Sequence, residues 1–117
     1  MSVARFRTSV EDGGQAFLDR VFTPEEQEDC LRRKHPHPSL AARFAAKEAV
    51  MKALGTGWGA GVRFRDIEVV PDDAGVPRLR LHGRAAELAD AAGFGELRVS
   101  LSHTDEQATA VVVAFPG

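Results

Sequence analysis

RFAAKEAVMKALGTGWGAG, residues Arg43 to Gly61, is the stretch around which the rest of the chain is arranged. It predicts an amphipathic helix running straight into a glycine-rich loop. Ser39, ahead of the apolar residues, serves as an N-cap, and Gly55, just past Leu54, serves as a C′ stop, giving a helix of about four turns. Phe44, Glu48 and Lys52 recur every four residues and share one face, while Leu40, Phe44, Met51 and Leu54 form an apolar stripe beside it. A charged pair therefore borders the buried side.

Two readings of that pair stand side by side. Glu48 four residues ahead of Lys52 is the favourable order for an exposed helix ion pair, worth roughly 0.2–0.5 kcal/mol. The loop that follows, GTGWGAG, has four glycines in seven residues and speaks for a ligand instead. Such a segment lets backbone come close to a bound molecule, at a cost in conformational entropy. A flexible connection is the alternative, and spacing alone does not separate the two. The loop lies after the helix and offers the carbonyl end of the dipole. Neither a P-loop nor a dinucleotide fingerprint fits, because both put glycines ahead of a helix N-terminus.

Upstream, Ser2 to Arg7 alternates apolar and basic residues and is open to reading as a strand end or a helix start. Val10, Phe17, Leu18 and Val21 predict a helical stretch interrupted near Gly13-Gly14. Thr23-Pro24-Glu25-Glu26 supplies an N-cap, a proline at the first helical position and a capping-box carboxylate, so a second helix should run to about Arg33. The segment KHPHP, Lys34 to Pro38, is a breaker, since proline disfavours helical geometry in the residue before it. His35 and His37, with no acidic or cysteine partner nearby, read as exposed loop residues and not as metal ligands.

Downstream the period changes. Ile67 and Val69, a turn at Asp72 to Gly75, and Leu79 and Leu81 alternating with Arg78 and Arg80 predict a β-hairpin. Gly83 to Ala92 reads as a short helix stopped by Gly93. Glu96 to Ser102 and Ala108 to Phe115 read as two more strands, the second so continuously apolar that it should be central. Helices first and antiparallel strands later make an α+β chain.

With 117 residues, 44% hydrophobic and 27% charged, the sequence suits one soluble domain spanning residues 1–117. A net charge of −2 gives no basic field for nucleic acid. Cys30, the single cysteine, excludes an intrachain disulfide and reads as a small buried hydrophobe. No membrane span or signal segment is expected, which leaves the cytoplasm as the default compartment.

A third unusual place is Ser102-His103-Thr104 at a strand end, where a turn capped by Ser102 and Thr104 is one explanation. A Ser-His-Asp relay from Ser102, His103 and Asp105 is not, since adjacent residues point apart and no nucleophile elbow is present. Taken together, FAAKEAVMKALGTG (Phe44 to Gly57) closely resembles the signature of the holo-acyl carrier protein synthase type of 4′-phosphopantetheinyl transferase. SLSHT (Ser100 to Thr104), FLDRVFTPEE (Phe17 to Glu26), DIEV (Asp66 to Val69) and the Gly-x-Pro turn at Gly75 to Pro77 resemble further segments of that family in the same order.

That resemblance implies transfer of the phosphopantetheine arm of coenzyme A to a serine of an acyl carrier protein of fatty acid or polyketide synthesis, with magnesium as cofactor. By position, Glu48 would be the metal ligand and, with Lys52, the catalytic pair. Lys52 would also hold a phosphate oxygen. Arg43, Lys47, Gly55, Thr56, Gly57, Gly59, Pro77, His103 and Thr104 would contribute to the coenzyme A site, His103 and Thr104 at its nucleotide end. Arg5 and Arg20 would meet substrate phosphate or the acidic carrier protein. The family fold is an antiparallel sheet packed on a long helix, assembled as a homotrimer with sites between subunits.

The family also opens with a short strand whose aspartate is a second metal ligand. Here MSVARF aligns with the residues just after that aspartate, and no acidic residue precedes Glu11. Fewer bound carboxylates should weaken magnesium. A shortened start, a strand supplied by another polypeptide, and a degenerate relative that binds coenzyme A or carrier-bound pantetheine without transferring it all remain open at this point. A carrier-protein docking module is a further alternative.

Overall fold

The computed structural model describes residues 1–55 and 61–117. Helix α1, Val3–Val21, is capped at its start by the Ser2 hydroxyl, which accepts the Arg5 N–H at 3.3 Å. Its helical geometry breaks at Gly14, with φ 58° and ψ −148°. Side chains with a Cβ rarely adopt that backbone, so the interruption falls where the glycine pair suggested. Helix α2, Pro24–Leu31, has the predicted capping box. The Thr23 hydroxyl accepts the Glu26 N–H at 3.2 Å, and Glu26 Oε1 accepts the Thr23 N–H at 3.0 Å.

Helix α3, Pro36–Ala53, corrects the sequence reading at its start. Its N-cap is His35, not Ser39, and KHPHP opens the helix. The first N–H groups of a helix have no intrahelical partner, and the proline ring is already set near the helical φ, so Pro36 and Pro38 are tolerated in the first turn. Ser39 is instead buried, with its hydroxyl 3.4 Å from Cys30 Sγ. At the other end Gly55, with φ 72°, is the C′ residue, as expected.

A 3-10 turn at Phe64–Asp66 leads into strand β1, Ile67–Pro71, which pairs antiparallel with β2, Pro77–Leu81. Asp72 Oδ1 closes the turn by accepting the N–H groups of Ala74 and Val76, each at 2.9 Å. Helix α4, Gly83–Ala91, stops before Gly93, with φ 79°. Strands β3, Phe94–His103, and β4, Ala108–Pro116, form a second antiparallel hairpin in register from Glu96↔Phe115 to His103↔Ala108, with a shift of register between Phe94 and Glu96.

The expectation of a central strand at Ala108 to Phe115 is not met. Among the described residues β4 pairs as a strand only with β3, and each sheet has two strands. The apolar run has two destinations. Ala108, Ala110, Val112 and Ala114 face inward, where β4 packs on α3. Val111, Val113 and Phe115 face outward and are 62%, 46% and 43% exposed. Met1 and Ser2 run beside the start of β4. Ser2 bridges to Gln107, and the Ala108 N–H donates to the Met1 carbonyl at 2.9 Å. The Ser2 to Arg7 segment is thus both of its alternatives, extended for its first residue and helical after it.

Phe6, Phe22, Phe44 and Phe64 stack edge to face at the centre, with ring centroids 5.1–6.2 Å apart, among Leu40, Val50 and Ile67. Cys30 is fully buried, and burial pushes its thiol pKa up. Among the described residues no helix is long and apolar enough to cross a membrane.

Candidate active site

Helix α3 presents two differently charged sides. Phe44, Ala45, Glu48, Ala49 and Lys52 line a pocket of about 590 Å³, closed on its other walls by α1 and the start of β4. Arg5, Phe6 and Ser9 come from α1, and Ala108, Thr109 and Ala110 from β4. The alanines keep the space open, and the Phe6 and Phe44 rings, 5.6 Å apart, form its apolar wall. The i, i+4 spacing that placed Phe44, Glu48 and Lys52 on one face is what brings all three to this wall.

The plain reading of Glu48 and Lys52 as a mutual ion pair fails. Among the described residues neither side chain makes an ion pair or hydrogen bond. A half-buried carboxylate, an exposed ammonium and the exposed Arg5 therefore converge on one cavity with their valences unused. Such a set can neutralise phosphate oxygens or ligate a hard cation.

Lys47, expected among the coenzyme A contacts, is placed elsewhere, and this corrects the sequence reading. Its side chain is fully buried, and Nζ donates to Glu26 Oε1 at 2.7 Å, to the Phe64 carbonyl at 3.0 Å and to the Ile67 carbonyl. Burial pushes its ammonium below the usual lysine pKa, against the opposing pull of Glu26. Glu26 Oε2 in turn accepts the Val69 N–H at 3.0 Å. One residue's turn of the helix separates this saturated ammonium from the free carboxylate of Glu48.

Arg43 is also buried, paired with Asp29, yet among the described residues its Nε and Nη1 have no partner. Two orphan donors in a buried guanidinium suit an incoming anion or an ordered water. Close by, burial disfavours ionisation of the Glu68 carboxyl, but hydrogen bonds from Thr23 and His82 and the charge of Arg80 outweigh it and hold its pKa below the usual range.

The remaining candidates do not join Glu48 within this chain. His103 ends β3 as register partner of the pocket residue Ala108 but does not line the pocket. Thr104 does what the turn reading assigned to it, its hydroxyl accepting the N–H groups of Glu106 at 3.2 Å and Gln107 at 3.0 Å. Pro77 opens β2 opposite Pro71, away from the cavity. Arg5 and Arg20 lie at opposite ends of α1, on either side of the Gly14 break, and only Arg5 lines the pocket. Gly55 is exposed at the end of α3, and Thr56, Gly57 and Gly59 lie outside the described residues.

Ser9 and Thr109 line the cavity without having been singled out in the sequence. Ser9 has one faint signal, its i, i+4 relation to Arg5, and Thr109 has none. Among the described residues no cluster of three or more histidine, cysteine or carboxylate side chains could hold a metal on its own.

Comparison with known proteins identifies the family of the chain. The sequence profile of the 4′-phosphopantetheinyl transferase superfamily matches residues 1–112. A holo-[acyl-carrier-protein] synthase of Geobacter sp. (strain M21) is 47% identical over 113 residues, covering 97% of this chain and 90% of that protein. Among solved structures, the synthase of Neisseria meningitidis superimposes with a TM-score of 0.86 at 36% identity, covering 98% of this chain and 92% of that one. The Helicobacter pylori synthase, solved in complex with coenzyme A, gives 0.84 at 34% identity, with 98% and 95% covered.

Proposed function

The chain belongs to the 4′-phosphopantetheinyl transferase superfamily, and from that premise we propose that it is a holo-acyl carrier protein synthase. It transfers the 4′-phosphopantetheine arm of coenzyme A to a serine hydroxyl of an acyl carrier protein. We take residues 1–117 as one transferase-like unit. The observation that carries the reading is the pocket in which Glu48, Lys52 and Arg5 meet with no partner of their own among the described residues.

In this reading the serine oxygen attacks the phosphorus next to the pantetheine arm, and the bond to the adenosine 3′,5′-bisphosphate leaving group breaks. Glu48 is placed to draw off the serine proton, and Lys52 to hold a phosphate oxygen against the charge that moves onto the leaving group. Magnesium fits the donor set. It binds through one or two carboxylates together with waters and substrate phosphates, and Glu48 is a carboxylate at this cavity with no partner among the described residues. Bound there, the ion supplies neutralisation of the pyrophosphate oxygens.

Arg43, with its two orphan donors, is assigned to an anionic part of coenzyme A, and Gly55 to Gly59 to its near surface. His103 and Thr104 are assigned to the nucleotide end. Since those two do not line the Glu48 pocket of their own chain, the assignment requires a neighbouring subunit, and we propose a homotrimer. The outward apolar face of Val111, Val113 and Phe115 supports it, because such a patch on β4 favours burial against a second copy. Arg5 and Arg20, both exposed on α1, are assigned to docking of the acidic carrier protein.

Incubating the protein with labelled coenzyme A, magnesium and apo carrier protein tests the reaction. Label should appear on the carrier serine. Tight coenzyme A binding without transfer would sink the enzyme reading. Sedimentation of wild type and Val113→Asp tests the assembly, which should pass from trimer to smaller species in the variant.

A further inference from the structure

We propose that Lys47 is a positioning residue of the coenzyme A pocket, acting through the backbone at Phe64 and Ile67 and never touching the ligand. The inference rests on the reading that this pocket takes coenzyme A.

The geometry begins with the ammonium. Lys47 Nζ is bound by Glu26 Oε1, the Phe64 carbonyl and the Ile67 carbonyl, and it lies 5.4 Å from the Phe22 ring centroid. One side chain of α3 therefore fastens the start of α2, the 3-10 turn and the first residue of β1. The Phe64 ring stands edge-on to Phe44 at 5.1 Å, and Phe44 stands edge-on to Phe6 at 5.6 Å. Phe44 and Phe6 are the apolar wall of the pocket. The clamp on the Phe64 backbone is thus one ring contact from the cavity wall, and it is anchored one residue from Glu48.

Burial energy alone does not explain a lysine here. A well-packed apolar side chain of similar volume often serves a core as well as or better than a buried ion pair. An ammonium adds direction: three acceptors at fixed places hold residues 64–67 against α3, so the Phe44 wall keeps one position. In metal sites, partners one step behind the contacting groups change affinity or activity by about 10–100-fold when removed, and an effect of the same order is expected here.

The test uses the full chain and coenzyme A binding measured by calorimetry without metal. Lys47→Met leaves Glu26 buried and unpaired, so the informative variant is the double change Glu26→Gln with Lys47→Met, which leaves no lone buried charge. Val50→Ala, a truncation in the same helix away from the pocket, serves as a stability control. The double variant should stay folded and bind coenzyme A about 10-fold more weakly or worse. Its KM for coenzyme A should rise in step and its kcat should fall less. Val50→Ala, equally or more destabilised, should keep wild-type affinity.

A folded double variant with wild-type affinity overturns the positioning role and leaves the proposed function standing. Wild type that binds no coenzyme A either without magnesium or with it overturns both. Should the double variant not fold, hydrogen exchange on wild type decides: coenzyme A should add protection at the amides of residues 64–69, and no change there overturns the inference.

Discussion

On the side of α3 that meets α2 and β1, both buried cations have an anionic partner, although Arg43 keeps two donors unbonded among the described residues. Lys47 is held by Glu26 and two carbonyls, and Arg43 is held by Asp29. One residue further along the same helix, Glu48 and then Lys52 face a cavity with no ion pair or hydrogen bond among the described residues. Charges taken out of water need partners and are costly without them. A group left unpartnered at a concave surface can keep its water and exchange it for a ligand. Near-identical chemistry, a Lys and a Glu on each side, thus separates into a scaffold face and a working face, and burial is what separates them.

The largest expected effect breaks the working face alone. Glu48→Ala should lower kcat/KM for transfer by about 10²–10³-fold or more. Its thermal midpoint should barely move, because alanine raises helix propensity and no contact is lost. Activity near wild type in that variant would remove Glu48 from the reaction. Breaking the scaffold face should do the reverse to stability: Lys47→Met alone, leaving the buried Glu26 carboxylate without its cation, should cost about 3–5 kcal/mol in urea denaturation. The double change with Glu26→Gln should recover a good part of that loss. Equal stability of the single and double variants would mean that Glu26 is not held as an ion there.

How far the two faces could be read from the sequence differs for a physical reason. The i, i+4 spacing of Phe44, Glu48 and Lys52 fixes them on one side of a helix whatever surrounds it, and the pocket wall follows. The capping box at Thr23 and the glycine stops at Gly55 and Gly93 were legible because each satisfies backbone groups locally. Lys47 was not, since its acceptors at Phe64 and Ile67 lie 17 and 20 residues away and no local pattern encodes a lysine turned inward. The start of α3 was misplaced because proline opposes a helix everywhere except in its first turn. The apolar run of β4 looked central because an unbroken apolar pattern does not record which partner covers each face, and Val111, Val113 and Phe115 are exposed on this chain.

A smaller effect sharpens the working face. Lys52→Ala should weaken coenzyme A by about 10–100-fold, the worth of one hydrogen bond to a charged group. Because Lys52 is exposed and unpaired among the described residues, stability should be unchanged, and affinity should fall with added salt more steeply in wild type than in the variant. Coenzyme A binding that is indifferent to Lys52→Ala would shift the phosphate contact to Arg5 or Arg43.

The smallest effect lies on the scaffold face and is identified by its dependence on pH. Burial works against ionisation of Asp29, but the Arg43 guanidinium beside it, helped by Arg32 and Arg33, outweighs burial and holds its carboxyl below the ordinary 3.8. A carboxyl lowered in the folded state contributes stability that is fully present above 3.8 and is lost as pH falls through the lower folded value. Asp29→Asn should therefore be less stable than wild type by a constant amount at neutral pH. The gap in urea midpoint should narrow once the pH drops below about 4, where the wild-type carboxyl also becomes neutral. A gap that stays the same down to the lowest pH at which both proteins fold would mean that Arg43 is held by packing and not by the charge of Asp29. The scaffold face would then owe its order to shape, and only the Glu26–Lys47 pair would distinguish it electrostatically from the pocket.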